Sequence, residues 1–118
     1  MKKIVITGAM GYIGTELCKI YSGLTNQYEV IALDRDFYSD RVNRLNTWGI
    51  KFIQCDILDI GKLSNVLKDA DIVYHLARIS HSNSTVTDLE KRLHLNVMGT
   101  SRILDLCLTC NIKKVIIL

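Results

Sequence analysis

Three glycines at three-residue spacing, Gly8, Gly11 and Gly14, follow the apolar run Ile4-Val5-Ile6, and Asp34 closes a second apolar run twenty residues after the last of them. Glycines so placed suit dinucleotide binding: Gly8 lets the backbone turn tightly, Gly11 lets it approach a pyrophosphate, and Gly14 seats a helix against the strand. A helix starting near Gly11 aims unpaired N–H groups and about half a positive charge at the anion. No cationic side chain is needed there, and none lies between Thr7 and Gly14. A carboxylate at Asp34 can accept two hydrogen bonds from the adenosine ribose, and its charge repels the additional phosphate of NADP, so NAD is favoured over NADP. Arg35 leaves a second option, because it could stack on adenine or hold that phosphate in a bidentate contact. A plain turn-forming carboxylate is the competing role for Asp34; the glycine loop at the right distance weighs against it.

The elements that must position these residues follow from periodicity. Short Val- and Ile-rich runs at Lys3 to Thr7, Glu29 to Leu33, Lys51 to Gln54, Asp71 to His75 and Lys113 to Leu118 predict buried parallel strands. Helices are predicted over Tyr12 to Gly23, Asp40 to Trp48, Lys62 to Lys68 and Thr85 to Asn111. The last carries Val86, Leu89, Leu93, Val97, Leu104 and Cys107 or Leu108 at three- and four-residue steps, an apolar stripe along one face. Alternating strands and helices with right-handed crossovers predict an α/β fold: a Rossmann-type doubly wound parallel sheet, strand order 3-2-1-4-5, flanked by helices.

Composition narrows the classes. The 118 residues, 48% hydrophobic, suit a single domain over residues 1–118. No apolar run approaches the roughly 18 residues of a membrane span, so no membrane partner and a cytoplasmic location are expected. The net charge of +3 is small and its cations are scattered among acids, which argues against a nucleic-acid partner. Of the four cysteines, only Cys107 and Cys110 form a Cys-x-x-Cys pair; with no second pair, buried helix thiols are expected and no metal site. The chain stops on the apolar run Val115 to Leu118 with nothing to cover it, so a fragment of a longer chain, cut at its fifth strand and without a substrate-binding part, is expected.

Five segments in order, Thr7-Gly8-x-x-Gly11-x-x-Gly14, Asp34, Cys55-Asp56-Ile57-Leu58-Asp59, His75-Leu76-Ala77 and Asn96-Val97-Met98-Gly99-Thr100, resemble the marks of the extended short-chain dehydrogenase/reductase family, the NAD-dependent epimerases and dehydratases of nucleotide sugars. The resemblance covers the N-terminal cofactor-binding part of such a protein. It implies that Asp56 reads the adenine amine with Ile57 beside the base, that Leu76 and Ala77 lie along the nicotinamide side, and that Asn96 supports the nicotinamide from the long helix. Arg78 departs from the small residue common there and could contact pyrophosphate, substrate or water. Tyr12 and Ile13, inside the glycine motif, complete the candidate cofactor set. Helix capping competes for Asp56 and is the preferred role for Asp59, and His75 reads as a hydrogen-bonded core histidine.

Family catalysis would use a tyrosine four residues before a lysine, with the ammonium lowering the phenol pKa, and a serine or threonine to orient the sugar. Tyr12, Tyr21, Tyr28, Tyr38 and Tyr74 are followed four positions later by Glu16, Thr25, Ala32, Val42 and Arg78, so this chain has no catalytic residue of that kind. The expectation is the cofactor-binding portion of an NAD-dependent nucleotide-sugar epimerase or dehydratase, working through a keto-sugar intermediate in the complete protein. The alternative is a noncatalytic NAD(P)-binding sensor or structural homologue. A homodimer is implied only by the family, which often packs the long helix against the next one. A phosphate-binding ATPase loop is disfavoured by the missing Gly-Lys-Ser/Thr.

Overall fold

Alternation along the first two strands decides which side of the sheet each residue serves. Ile4, Ile6, Val30 and Ala32 face one way and Val5, Ile31 and Leu33 the other, and all are buried. The computed structural model describes residues 1–77 and 86–118, and side chains for 1–77 and 89–118. Strands β1 (Lys2–Thr7), β2 (Tyr28–Asp34), β3 (Lys51–Gln54), β4 (Ile72–His75) and β5 (Lys114–Ile117) form one parallel sheet of order 3-2-1-4-5, as the sequence predicts.

Helices cover both faces. On one side α1 (Tyr12–Tyr21) and α2 (Ser39–Thr47) bring Cys18, Tyr21 and Leu45 onto the Ile4 and Ile6 face. On the other, α3 (Ile60–Leu67) and α5 (Thr100–Thr109) bring Leu63, Leu67, Ile103 and Cys107 onto Val5, Ile31 and Val73. Fully burying each such aliphatic side chain is worth roughly 1.5–3 kcal/mol, so β1, packed on both faces and paired on both edges, is the best-supported element. The strand order reverses between β1 and β4. In an open sheet of this kind the chain leaves β1 and β4 toward opposite faces, and the crevice beyond their carboxyl ends is where a ligand fits.

The long fourth helix differs from its prediction over Thr85 to Asn111. Thr85 lies outside the described residues, and the remainder is three segments: α4 (Val86–Leu93), a π-helical segment His94–Gly99, and α5. The core receives Ile103 and Cys107, whereas the predicted stripe is exposed before, within and after the π segment: Leu93, Val97 and Leu108 are 55%, 58% and 78% exposed. The predicted end of α1 at Gly23 is also shortened, since Ser22–Leu24 is a 3-10 turn.

Candidate cofactor-binding site

The glycine turn shows its requirement in backbone distances. Gly8 has φ +68°, the left-handed region, and a Cβ there would lie 2.7 Å from the Ala77 nitrogen and 2.7 Å from the Leu76 carbonyl carbon. A Cβ on Gly14 would lie 2.5 Å from the Gly8 carbonyl oxygen and 2.8 Å from the Ala9 Cα. Glycine is thus demanded twice by protein backbone alone. At Gly11 the demand is softer: a Cβ would meet only the Gly8 carbonyl, at 3.3 Å. The Gly11 N–H donates to that carbonyl, and the Ala9 N–H donates to the Leu33 carbonyl at 3.0 Å, tying the loop to β2. Gly11 caps α1 with no side chain and the first turn carries no acid, so its N–H groups and positive end are left for an anion.

Asp34, the last residue of β2, is aimed by two backbone donors: Met10 N–H to Oδ2 and Asp36 N–H to Oδ1, both at 2.9 Å. Each oxygen keeps a lone pair for a ribose hydroxyl. Asp56 follows β3 and accepts from the Leu58 N–H at 2.9 Å, a local turn rather than a helix cap. The α3 cap is Asp59, which accepts from the Lys62 N–H at 3.2 Å, the role the sequence prefers for it.

Gly8, Gly11, Asp34, Arg35, Asp56, Ile57, Leu76 and Ala77 line a single cleft of about 310 Å³. Eight of the candidate cofactor residues therefore converge. Tyr12 and Ile13 do not line this cleft: Tyr12 is 85% exposed and borders a neighbouring depression between α1 and α2, and Ile13 is half-exposed. Gly14 lies behind the cleft, buried under the turn. Arg35 points largely into solvent beside Asp36, 3.8 Å away. Asn96 sits in the π segment and lines a separate cavity of about 240 Å³ with His75, Leu76, Ala77 and Thr100, where β4 and β5 end. Arg78 lies outside the described residues.

Sequence reasoning missed Met10, Tyr38 and Arg41 as cleft residues. Arg41 donates from Nη1 to the Met10 carbonyl at 2.9 Å and lies 4.8 Å over the Tyr38 ring. Their three-residue spacing at a helix start, just after Asp34, is the signal that could have found them.

Burial disfavours the thiolate at three of the four cysteines. Burial pushes Cys18 up to about 12 and, with Cys110 beside it, Cys107 up to about 11; burial also raises Cys55, which borders the cleft. All four are unpaired, and no metal-holding cluster of three ligands occurs among the described residues. No helix among them is long and apolar enough to cross a membrane.

A parallel sheet with a glycine turn and an aimed carboxylate at its switch point defines a Rossmann-type dinucleotide-binding unit. A family profile described as the NAD dependent epimerase/dehydratase family matches residues 4–118, and the chain belongs to that family. It is 31% identical to a dTDP-D-glucose 4,6-dehydratase of Dictyostelium discoideum over 98% of this chain and 28% of that relative. Among solved structures it resembles a UDP-glucose 4-epimerase from Brucella ovis in complex with NAD (26% identity, TM-score 0.82, 99% of this chain, 35% of that one). It also resembles MoeE5 in complex with UDP-glucose and NAD (25% identity, TM-score 0.79, 98% of this chain, 35% of that one). The chain thus spans about a third of the length of the proteins it matches.

Proposed function

We propose that this chain is the NAD-binding portion of an enzyme that transforms a nucleotide sugar by transient oxidation. The observation that carries the reading is the aimed Asp34 carboxylate sharing one cleft with a glycine turn that no side chain can enter. A dinucleotide fits this donor set end to end. Asp34 would accept from the adenosine ribose hydroxyls, Asp56 and Ile57 would flank the adenine, and the Gly11–Gly14 turn would meet the phosphates with backbone N–H groups. Leu76 and Ala77 would pass under the second ribose, with Asn96 beyond them.

When bound, NAD supplies a hydride acceptor. The residues here bind and orient it; sugar oxidation would need a proton acceptor from elsewhere in the complete enzyme, since no tyrosine in this chain stands four residues before a lysine. A nucleotide-sugar substrate follows from the relatives' printed ligands and names. A homodimer through the exposed Leu93, Val97 and Leu108 face is part of the same reading. So is a cytoplasmic location, with which four unpaired thiols agree.

Isothermal titration of the chain with NAD and NADP, beside an Asp34→Ala variant, tests it. Wild type should bind NAD more tightly than NADP, and the variant should lose most of its NAD affinity. A folded wild-type chain that binds neither nucleotide overturns the reading.

A further inference from the structure

The end of the cleft farthest from Asp34 holds a buried hydrogen-bond chain that the cofactor reading does not use. Thr7, at the end of β1, and His75, at the end of β4, are the buried polar residues of the core among the described residues, at 0% and 3% exposure. The Thr7 hydroxyl accepts from the Leu76 N–H and the Ala77 N–H, both at 3.1 Å, the Leu76 N–H being shared with the Thr7 carbonyl at 3.3 Å. A threonine hydroxyl has two lone pairs and one proton. Both lone pairs are taken, so its proton goes to His75 Nδ1, 2.8 Å away. Nδ1 is therefore an acceptor, the ring proton sits on Nε2, and Nε2–H donates to the Thr100 hydroxyl at 3.1 Å. This pattern of bonds fits a neutral ring with its proton on Nε2. Desolvation agrees, lowering the pKa of the ring.

Each end of this chain of bonds controls part of a ligand surface. Thr7 holds the two N–H groups of Leu76 and Ala77, which wall the cleft and press on Gly8. Thr100 opens α5 directly after the π segment that carries Asn96, and its neighbour Gly99 packs against Ile57, where a Cβ would lie 2.7 Å from Ile57 Cδ1. His75, Leu76, Ala77, Asn96 and Thr100 meet around the 240 Å³ cavity. With adenosine at Asp34 and phosphates at the glycine turn, Leu76 and Ala77, which line both the cleft and that cavity, give the second ribose and nicotinamide a path toward it.

We propose that His75, neutral with its proton on Nε2, is a positioning residue that sets the spacing between the Leu76–Ala77 wall and the Asn96-bearing helix through Thr7 and Thr100, and so shapes the nicotinamide half of the cleft. The proposal rests on reading the cleft as an NAD site. The imidazole acts only through its neighbours and touches no reacting atom.

Calorimetric titration of wild type, Thr100→Val and Thr100→Ser with NAD and with ADP, which lacks the second ribose and nicotinamide, tests it together with nitrogen-15 spectra of the histidine rings. One hydrogen bond is worth about fivefold in an equilibrium constant. Thr100→Val should therefore weaken NAD about fivefold and leave ADP within twofold. Thr100→Ser, which keeps the hydroxyl, should restore NAD, and wild-type His75 should show the Nε2–H tautomer. Equal loss of NAD and ADP would mean a merely structural role and overturn the proposal, as would unchanged NAD affinity in Thr100→Val or an Nδ1–H tautomer. Wild type that binds ADP but gains nothing from the rest of NAD refutes the positioning of the nicotinamide half. Wild type that binds neither brings down the NAD reading itself, and this role with it.

Discussion

At the Asp34 end of the cleft backbone atoms do the joining, whereas at the Ala77 end side chains do it. Gly8 and Gly14 are fixed by backbone atoms of Gly8, Ala9 and the Leu76–Ala77 strand exit, and Asp34 is aimed by N–H groups of Met10 and Asp36. The far end depends on Thr7 reaching His75 across 68 residues and His75 reaching Thr100 across 25. Backbone close approach tolerates no substitution but constrains few residues. A side-chain chain tolerates conservative change at each link and can shift as a unit. The anion end is therefore built as a rigid cradle and the opposite end as an adjustable wall.

The sharpest way to break this contrast is at the point where both ends touch. Gly8→Ala combines left-handed backbone strain with a Cβ 2.7 Å from two backbone atoms of the β4 exit. It should cost about 2–5 kcal/mol of stability and abolish NAD binding. Chemical denaturation and titration measure both, and a stable Gly8→Ala chain with wild-type affinity would refute the cradle. Next in size is Asp34→Ala, which removes a charged acceptor from two backbone N–H groups and from the ribose. NAD affinity should fall by about 1.5–3 kcal/mol, with loss confined to ligands that carry the adenosine ribose.

The same contrast explains what could be read from the sequence. The cradle carries a local signal, glycines at fixed spacing with a strand before and a carboxylate after, so that Gly8, Gly11 and Asp34 share one cleft was legible from their order alone, and the strand order followed from the alternation of elements. The wall is not local. His75 was legible as a hydrogen-bonded core histidine, but nothing in the sequence pairs it with Thr7 and Thr100, because such pairing depends on the β1–β4 register and on where α5 begins. The π segment was invisible for a related reason. A single inserted residue within a helix leaves propensities unchanged, so no local signal marks it. Which face of that helix meets the core is set by packing against the sheet, and the predicted stripe of Leu93, Val97 and Leu108 lies on the exposed side. Arg41 escaped because its spacing from Tyr38 at a helix start is a weak signal on its own, and only the fold brings it to the Met10 carbonyl.

Acid should loosen the wall before the cradle. Desolvation lowers the pKa of His75, and its ring partners are two hydroxyls. In the unfolded chain a histidine gains its proton near pH 6.5, while the folded ring stays neutral to lower pH. The unfolded state then binds more protons in that window, so stability rises with pH there and is lost as pH falls below about 6.5, by up to about 1.4 kcal/mol per pH unit for one proton. Melting temperatures of wild type and His75→Asn from pH 7.5 to 5 should show the steeper decline in wild type. Parallel curves would mean that the folded ring takes up a proton as readily as the unfolded one.

The smallest effect belongs to a residue outside both ends. Asp59 caps α3 by accepting from the Lys62 N–H and lines neither the cleft nor the Asn96 cavity. Asp59→Ala should cost about 1 kcal/mol, the usual worth of an N-cap, and leave NAD affinity unchanged. Its neighbour Asp56, three residues earlier and inside the cleft, offers the matched case. Asp56→Ala removes a turn acceptor for the Leu58 N–H and should weaken NAD as well as the fold. If Asp59→Ala weakened NAD as much as Asp56→Ala did, the cleft would be reporting global stability, and the division into cradle and wall would lose its meaning.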